Sequence, residues 1–266
     1  MYIEKKEQKI INNFQKNGYL IFKTEDQKIL NNIRSKFIGF FPKKIYNKNY
    51  KNIKNENFIF NNIHQFIEKK KLNNFRLDII NKINTTSEIK EKIYKLSKKY
   101  LDVLVGNELV IQKRINLSIQ LPKDSSSLLP LHADTWSGVS PFEIVIWLPL
   151  VNCYETKTMY ILPSYKMKKY ESKLINKKTK SSEQIFNLIK KDLIWLKVNY
   201  GEILVFDQSL PHGNIVNKEK ETRWSMNIRF KGLFTPYGDK KIGEFFEPIT
   251  LKPVSKKGIN YKLPGQ

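Results

Sequence analysis

The hydrophobic period of this chain changes once, near residue 106, and that change limits the folds open to it. Before it, apolar residues recur at helical spacing. "EQKIINNFQKNG" carries Ile10, Ile11 and Phe14 and stops at Gly18, "EDQKILNNIRSKFIGFF" repeats the spacing, and "SEIKEKIYKLSKKYLDVLVG" runs to Gly106. "YLIFK" between the first two helices reads as a short strand. From Glu108 the alternation is that of strands: "ELVIQKRINLSIQLP" puts Ile115, Leu117 and Ile119 on one face and Asn116, Ser118 and Gln120 on the other. "PFEIVIWLPL", "TMYILP", "GEILVFD" and "TRWSMNIRF" follow as strands separated by Pro, Gly and polar turns. Helices followed by many short strands predict an α+β fold with a mainly β core, an antiparallel barrel or jelly roll with helices packed on one side.

One domain over residues 1–266 is expected: mostly helical support over 1–106, the β core over 107–232 with a Lys-rich helical insertion at 165–195, and a C-terminal extension over 233–266 whose pattern is weakest from Lys240. A 40% hydrophobic chain of this length can bury a core for it. The longest apolar runs, such as "IVIWLPLV", fall well short of the ~20 residues that span a bilayer. The start "MYIEKKEQKI" lacks the apolar core of a signal peptide, and the single Cys153 cannot form an internal disulfide. A cytoplasmic protein without a membrane span is expected. The net charge of +23 invites a polyanion partner. However, Lys is scattered through Asn- and Ile-rich runs such as "YNKNYKNIKNENF" rather than gathered with aromatics, so a solvated surface, with no specific nucleic-acid site, is the expectation. There is no Gly-rich phosphate loop, CxxC pair or GxSxG elbow.

The chemistry concentrates in "LPLHADTWSG", residues 129–138, which supplies one of only 3 histidines. In an extended segment His132 and Asp134 point the same way and can offer an imidazole nitrogen and a carboxylate oxygen to one point. His212, just after the apolar "GEILVF" strand, supplies a third ligand. Two imidazoles and one carboxylate on one face of an octahedral metal leave three positions open, the arrangement of non-haem Fe(II) oxygenases. Arg223 opens the strand "RWSMNIRF", whose one face carries Arg223, Ser225, Asn227 and Arg229 and whose other face carries Trp224, Met226, Ile228 and Phe230. A guanidinium with a hydroxyl two residues on fits the distal carboxylate of a dicarboxylate co-substrate.

The run "HAD…WLPL…TMYILPSYK…GEILVFDQSLPHGN…RWSMNIRF" resembles the Fe(II)/2-oxoglutarate oxygenases of the phytanoyl-CoA dioxygenase superfamily, and within it the branch found in carbohydrate and surface-polysaccharide gene clusters. The opening "NFQKNGYLIFK" fits the same pattern, so the resemblance covers most of residues 8–232. It departs at Pro163, Ser164, Tyr165 and Lys166, where the superfamily usually has Pro-Gly-Ser-His. The resemblance implies a double-stranded β-helix, a cupin-like jelly roll. His132, Asp134 and His212 would hold Fe(II), and Arg223 with Ser225 would anchor 2-oxoglutarate. With O2, this co-substrate would be converted to succinate and CO2 as the prime substrate is hydroxylated or desaturated. Because Asp134 stands where a halogenase has Ala or Gly, halogenation is disfavoured.

Gln120 is expected either to meet the co-substrate or prime substrate or to hydrogen-bond its own sheet, and Trp136 and Ser137 are expected on the pocket rim. Asn227 and Arg229 are substrate candidates. For Arg229 the alternative is a salt bridge at the barrel edge, and six residues, about 20 Å along a strand, separate it from the carboxylate held by Arg223. Trp147, His64 and Cys153 read as structural. The preferred prime substrate is a small molecule, anionic if nucleotide-linked: a sugar nucleotide or glycan precursor. A nucleic-acid demethylase of the same oxygenase class, with two arginines six apart, and a non-catalytic jelly-roll binding protein are the alternatives.

Overall fold

The computed structural model describes residues 3–42, 56–175 and 181–265. Most of the Lys- and Asn-rich run at 46–58, and residues 176–180 of the insertion, lie outside the described residues. Helix α1, Lys5–Asn17, ends where Gly18 turns left-handed at φ 73° and returns its N–H to the Phe14 carbonyl. A Cβ at Gly18 would collide with Leu210 and Ser164, so glycine also lets the helix end sit directly on the segment leading to His212. Strand β1 is Tyr19–Lys23. Helix α2, Gln27–Phe40, starts at Asp26, whose carboxylate accepts the Ile29 N–H at 3.1 Å. Helices α3 (Glu56–Asn62), α4 (Leu72–Thr85) and α5 (Ser87–Leu104) complete the helical layer.

The strands are β2 (Leu109–Gln112), β3 (Asn116–Gln120), β4 (Glu143–Pro149), β5 (Tyr160–Ile161), β6 (Ile194–Trp195), β7 (Glu202–Asp207), β8 (His212–Gly213), β9 (Arg223–Gly232) and β10 (Phe246–Thr250). Among the described residues they form a larger antiparallel sheet in the order β1-β7-β4-β9-β2-β10, with β3 also on β9, and a smaller sheet β6-β5-β8. The chain thus combines helices with antiparallel sheets around a mainly β core. Short helices α6 (Ser164–Met167), α7 (Glu171–Ile175) and α8 (Ser182–Ile189) occupy the insertion, and α9 (Pro253–Ile259) lies near the C-terminus.

Three elements differ from the sequence reading. The single strand expected over "ELVIQKRINLSIQLP" is two, because β9 is long enough to pair β3 along Arg223–Asn227 and β2 along Phe230–Gly232. The 165–195 insertion is not helical throughout, since it ends in β6 on β5. The weakly patterned tail supplies β10, which pairs β2 as an edge strand. Its Pro248 lacks an N–H, which only an edge tolerates, and Phe246 is its one fully buried anchor.

Strand β9 joins the layers. Trp224, on its helix-facing side, is fully buried among Phe37, Phe41, Phe60 and Phe75, with ring centroids 5.1 to 6.2 Å away, and donates its indole N–H to the Phe60 carbonyl at 2.9 Å. Next to it the Thr222 N–H donates to the Asn61 carbonyl at 2.7 Å, and His64 Nδ1 meets the Thr222 hydroxyl at 2.9 Å. The helical layer therefore fixes the segment that leads into Arg223. No helix among the described residues is long and apolar enough to cross a membrane.

Candidate metal centre

His132 and His212 are held by their own backbones. Each accepts the other's N–H, at 3.0 and 2.8 Å, in an isolated antiparallel bridge. The bridge brings the two rings to a centroid distance of 4.3 Å. Each Nδ1 sits 2.8 Å from a carbonyl two residues back, that of Pro130 for His132 and that of Leu210 for His212. A carbonyl can only accept, so each Nδ1 carries the proton and each Nε2 is left with a lone pair. Beside His212, a Cβ at Gly213 would lie 2.7 Å from the Tyr160 hydroxyl and 2.8 Å from the Leu129 carbonyl, so only glycine fits there.

Asp134 begins a short 3-10 turn, Asp134–Ser137, and its N–H donates to the Gln208 carbonyl at 2.9 Å. Its Oδ1 is 3.7 Å from His132 Nε2, and one ligand atom from each of His132, Asp134 and His212 lies within 4.8 Å of the others. Burial alone would raise the Asp134 carboxyl, but the Arg229 guanidinium outweighs it and holds the group below the usual carboxylate range. For His212, burial and then His132 depress the imidazole to about 4, keeping it neutral.

Arg229 forms a salt bridge, the alternative the sequence offered for it, and its partner is Asp134. Its Nη2 donates to Asp134 Oδ2 at 2.7 Å, its Nε to Gln208 Oε1 at 2.9 Å and its Nη1 to Gln112 Oε1 at 3.2 Å. Gln208 in turn donates to the buried Glu143 at 3.0 Å. Sequence reading missed Gln208, Gln112 and Glu143. The one available signal was a carboxylate, Glu143, opening an otherwise apolar strand.

Arg223 lies at the other end of the same β9 face, 3% exposed. Its Nη1 donates to the Thr158 carbonyl at 3.0 Å and its Nη2 to the Ser118 hydroxyl at 2.7 Å, while its buried Nε has no partner. Burial lowers its guanidinium to about 10. Ser225 stands opposite Ser118 in the strand register. One cleft of about 550 Å³ is lined by His132, Asp134, His212, Arg223, Ser225 and Arg229, as well as by Asn227.

Three expected residues are not in its lining. Gln120 shares the face of Ser118 but is fully buried, because the strand end runs under residues 215–217. Its amide donates to the Ile215 carbonyl at 2.6 Å, and its Oε1 is unpartnered. The turn after Asp134 redirects Trp136 against the second core around Leu131 and Tyr160, and Ser137 faces solvent. Trp147, read as core, is 5% exposed but also reaches the cleft wall, whereas Cys153 is fully buried, its thiol pushed up to about 12 by burial.

No family model and no curated protein sequence matches the chain. Solved structures do. The apoform of EctD from S. alaskensis superposes with a TM-score of 0.57 at 12% identity, covering 91% of this chain and 83% of that one. SnoN, an epimerase solved with Fe3+, alpha ketoglutarate and nogalamycin RO, gives 0.52 at 10% identity over 87% and 86%. ThoJ, a non-heme monooxygenase solved as a Ni complex, gives 0.51 at 11% identity over 92% and 85%. At these identities the likeness is one of fold.

Proposed function

We propose that this chain is an Fe(II)- and 2-oxoglutarate-dependent oxygenase, a single-domain double-stranded β-helix acting on a small polar molecule, a carbohydrate or nucleotide-linked precursor. The observation that carries the reading is that the three potential ligands and a buried arginine with an unpartnered Nε line one cleft. The donor set fits the metal: two imidazoles and one carboxylate suit a divalent first-row ion and leave coordination positions open. The Arg223 end fits the co-substrate, because an orphaned buried N–H is satisfied by a carboxylate oxygen. The fold shared with SnoN, solved with Fe3+ and alpha ketoglutarate, and with EctD, solved with 2-oxoglutarate, supports the same pair of cofactors.

When bound, the iron and 2-oxoglutarate would supply O2 activation coupled to decarboxylation. The protein's own residues do the rest. His132 and His212 present fixed Nε2 lone pairs because their Nδ1 protons are held by carbonyls. Asp134 offers Oδ1 while Arg229 holds Oδ2. Arg223, 3% exposed, would orient the distal carboxylate. Fe(II) titrated without oxygen in the presence of 2-oxoglutarate should give a weak visible charge-transfer band, and admission of O2 should give succinate. A His212→Ala chain that still bound iron and made succinate at the wild-type rate would refute the ligand set.

A further inference from the structure

The cations lining the cleft already have partners or, for Arg223, a proposed one. Among the described residues lining it there are three arginines and no lysine. Arg76 is paired with Asp124 at 2.9 Å and also donates to Ser126 at 2.6 Å and to the Ile119 carbonyl. Arg229 holds Asp134, and Arg223 is committed to Thr158, Ser118 and, on the proposed function, the co-substrate. A phosphate or carboxylate on the prime substrate would leave water without gaining an uncommitted cation among these lining residues, which costs free energy.

What the cleft offers instead is one row across three strands. The register places Trp147 of β4 beside Asn227 of β9, and Asn227 beside Asn116 of β3. Cross-strand partners project from the same side of a sheet with Cβ atoms about 5 Å apart, and all three line the cleft. Asn116 Nδ2 donates to Asn227 Oδ1 at 2.8 Å. Two carboxamides that share one hydrogen bond leave one amide oxygen and one NH2 group to offer, whichever of the two is the donor. The row therefore presents an acceptor, a donor and an indole side by side. Asn227 is two residues, about 7 Å along the strand, from the Arg229 that holds Asp134.

Resting on the oxygenase reading, we propose that this row binds an uncharged group with adjacent hydroxyls, a vicinal diol of a sugar-like ring, and that no substrate phosphate is recognised inside the cleft. A hydroxyl both donates and accepts, so a diol satisfies the free carbonyl and the free NH2 at once without bringing charge. The carbon-bound hydrogens of such a ring then pack on Trp147.

The test is calorimetric titration of the full chain, loaded anaerobically with Fe(II) and 2-oxoglutarate. The probes are methyl glycosides of glucose, galactose, mannose and ribose, and the 1-phosphates of the same sugars. At least one neutral glycoside should bind, its phosphate should bind no more tightly, and affinity should be unchanged from low to physiological salt. Asn227→Ala and Asn116→Ala should each weaken binding by about three- to tenfold, the worth of one neutral hydrogen bond. A phosphate that binds at least tenfold tighter, an affinity that collapses with salt, or absence of binding by every neutral glycoside overturns the proposal. Full glycoside affinity in both Asn variants overturns the role of the row. Metal binding, and succinate formed without any glycoside, test the oxygenase reading separately. If both hold and no glycoside binds, only this inference falls.

Discussion

Arg229 Nη2 lies 2.7 Å from Asp134 Oδ2, and Gln208 touches both residues, accepting the Asp134 N–H with its backbone carbonyl and the Arg229 Nε–H with its side chain. The larger sheet thus reaches across to fix a carboxylate that belongs to the loop after residue 129. The pair is partly buried, with side chains 12 and 13% exposed, so its geometry is held against competing water.

Removing this contact should loosen the metal. In Arg229→Leu, Asp134 keeps its position in sequence but loses the group that orients Oδ2 and holds its carboxyl ionised. Metal affinity is expected to fall by roughly 10- to 100-fold, the usual effect of losing an outer hydrogen-bond partner of a ligand. Anaerobic Fe(II) titration measures it, and a wild-type dissociation constant would deny Arg229 its positioning role.

Arg223→Leu should behave differently. It removes the cation proposed for the distal carboxylate, a loss of about 3 to 5 kcal/mol, or roughly 150- to 5000-fold in 2-oxoglutarate affinity, while Fe(II) still binds. The 2-oxoglutarate dependence of succinate formation reads this directly. An equal or larger effect on that dependence in Arg229→Leu would move the co-substrate to the other end of the β9 face.

The partly buried His64 should make stability pH-dependent. Burial lowers His64 below its ordinary value of 6.5, so the unfolded chain binds the proton more readily than the folded one. Stability is therefore complete above 6.5 and declines as the pH falls through and below that value towards the folded pKa. Urea midpoints across this range should fall more steeply for wild type than for His64→Gln. Parallel curves would exclude His64 as a source of the slope.

Trp224→Ala should be among the most destabilising single changes, because it empties a site ringed by Phe37, Phe41, Phe60 and Phe75 and removes the indole donor to the Phe60 carbonyl. The expected cost is about 3 to 5 kcal/mol, read from chemical denaturation. A loss below about 1 kcal/mol would mean that the helical layer does not depend on this anchor.

Binding to DNA, if measured, should be weak, indifferent to sequence and steeply salt-dependent, since scattered lysines can neutralise phosphates but not read bases. Tight binding at physiological salt, or repair of an alkylated oligonucleotide, would favour the demethylase alternative.

The change of hydrophobic period was legible because amphipathic helices and half-buried strands each repeat locally, and α1, α2, α5, β4, β7 and β9 follow from it. His132, Asp134, His212, Arg223 and Ser225 were legible as residue types with a shared chemistry, and the fold brings them to one cleft. The partner of Arg229 was not, because Asp134 is 229 − 134 = 95 residues away and the meeting depends on how two layers pack. Alternation alone put Gln120 on the pocket face, but it says nothing of the chain crossing beneath it, whose Ile215 carbonyl takes the Gln120 amide. Trp136 was misplaced because a 3-10 turn breaks the two-residue period right after Asp134. Strand β10 escaped notice because an edge strand needs only one buried anchor.

The reciprocal bridge between His132 and His212 closes a segment of 212 − 132 = 80 residues that contains β4 to β7. Closing so long a loop is entropically unfavourable until the intervening strands have paired. A chain emerging from the ribosome therefore carries the first two proposed ligands for 212 − 134 = 78 residues of synthesis before the third appears, and cannot form the complete site until β7 has docked. On the proposed function, metal binding would then be a late event on an already folded protein, and the rate of metal uptake should follow access through the cleft rather than the rate of folding.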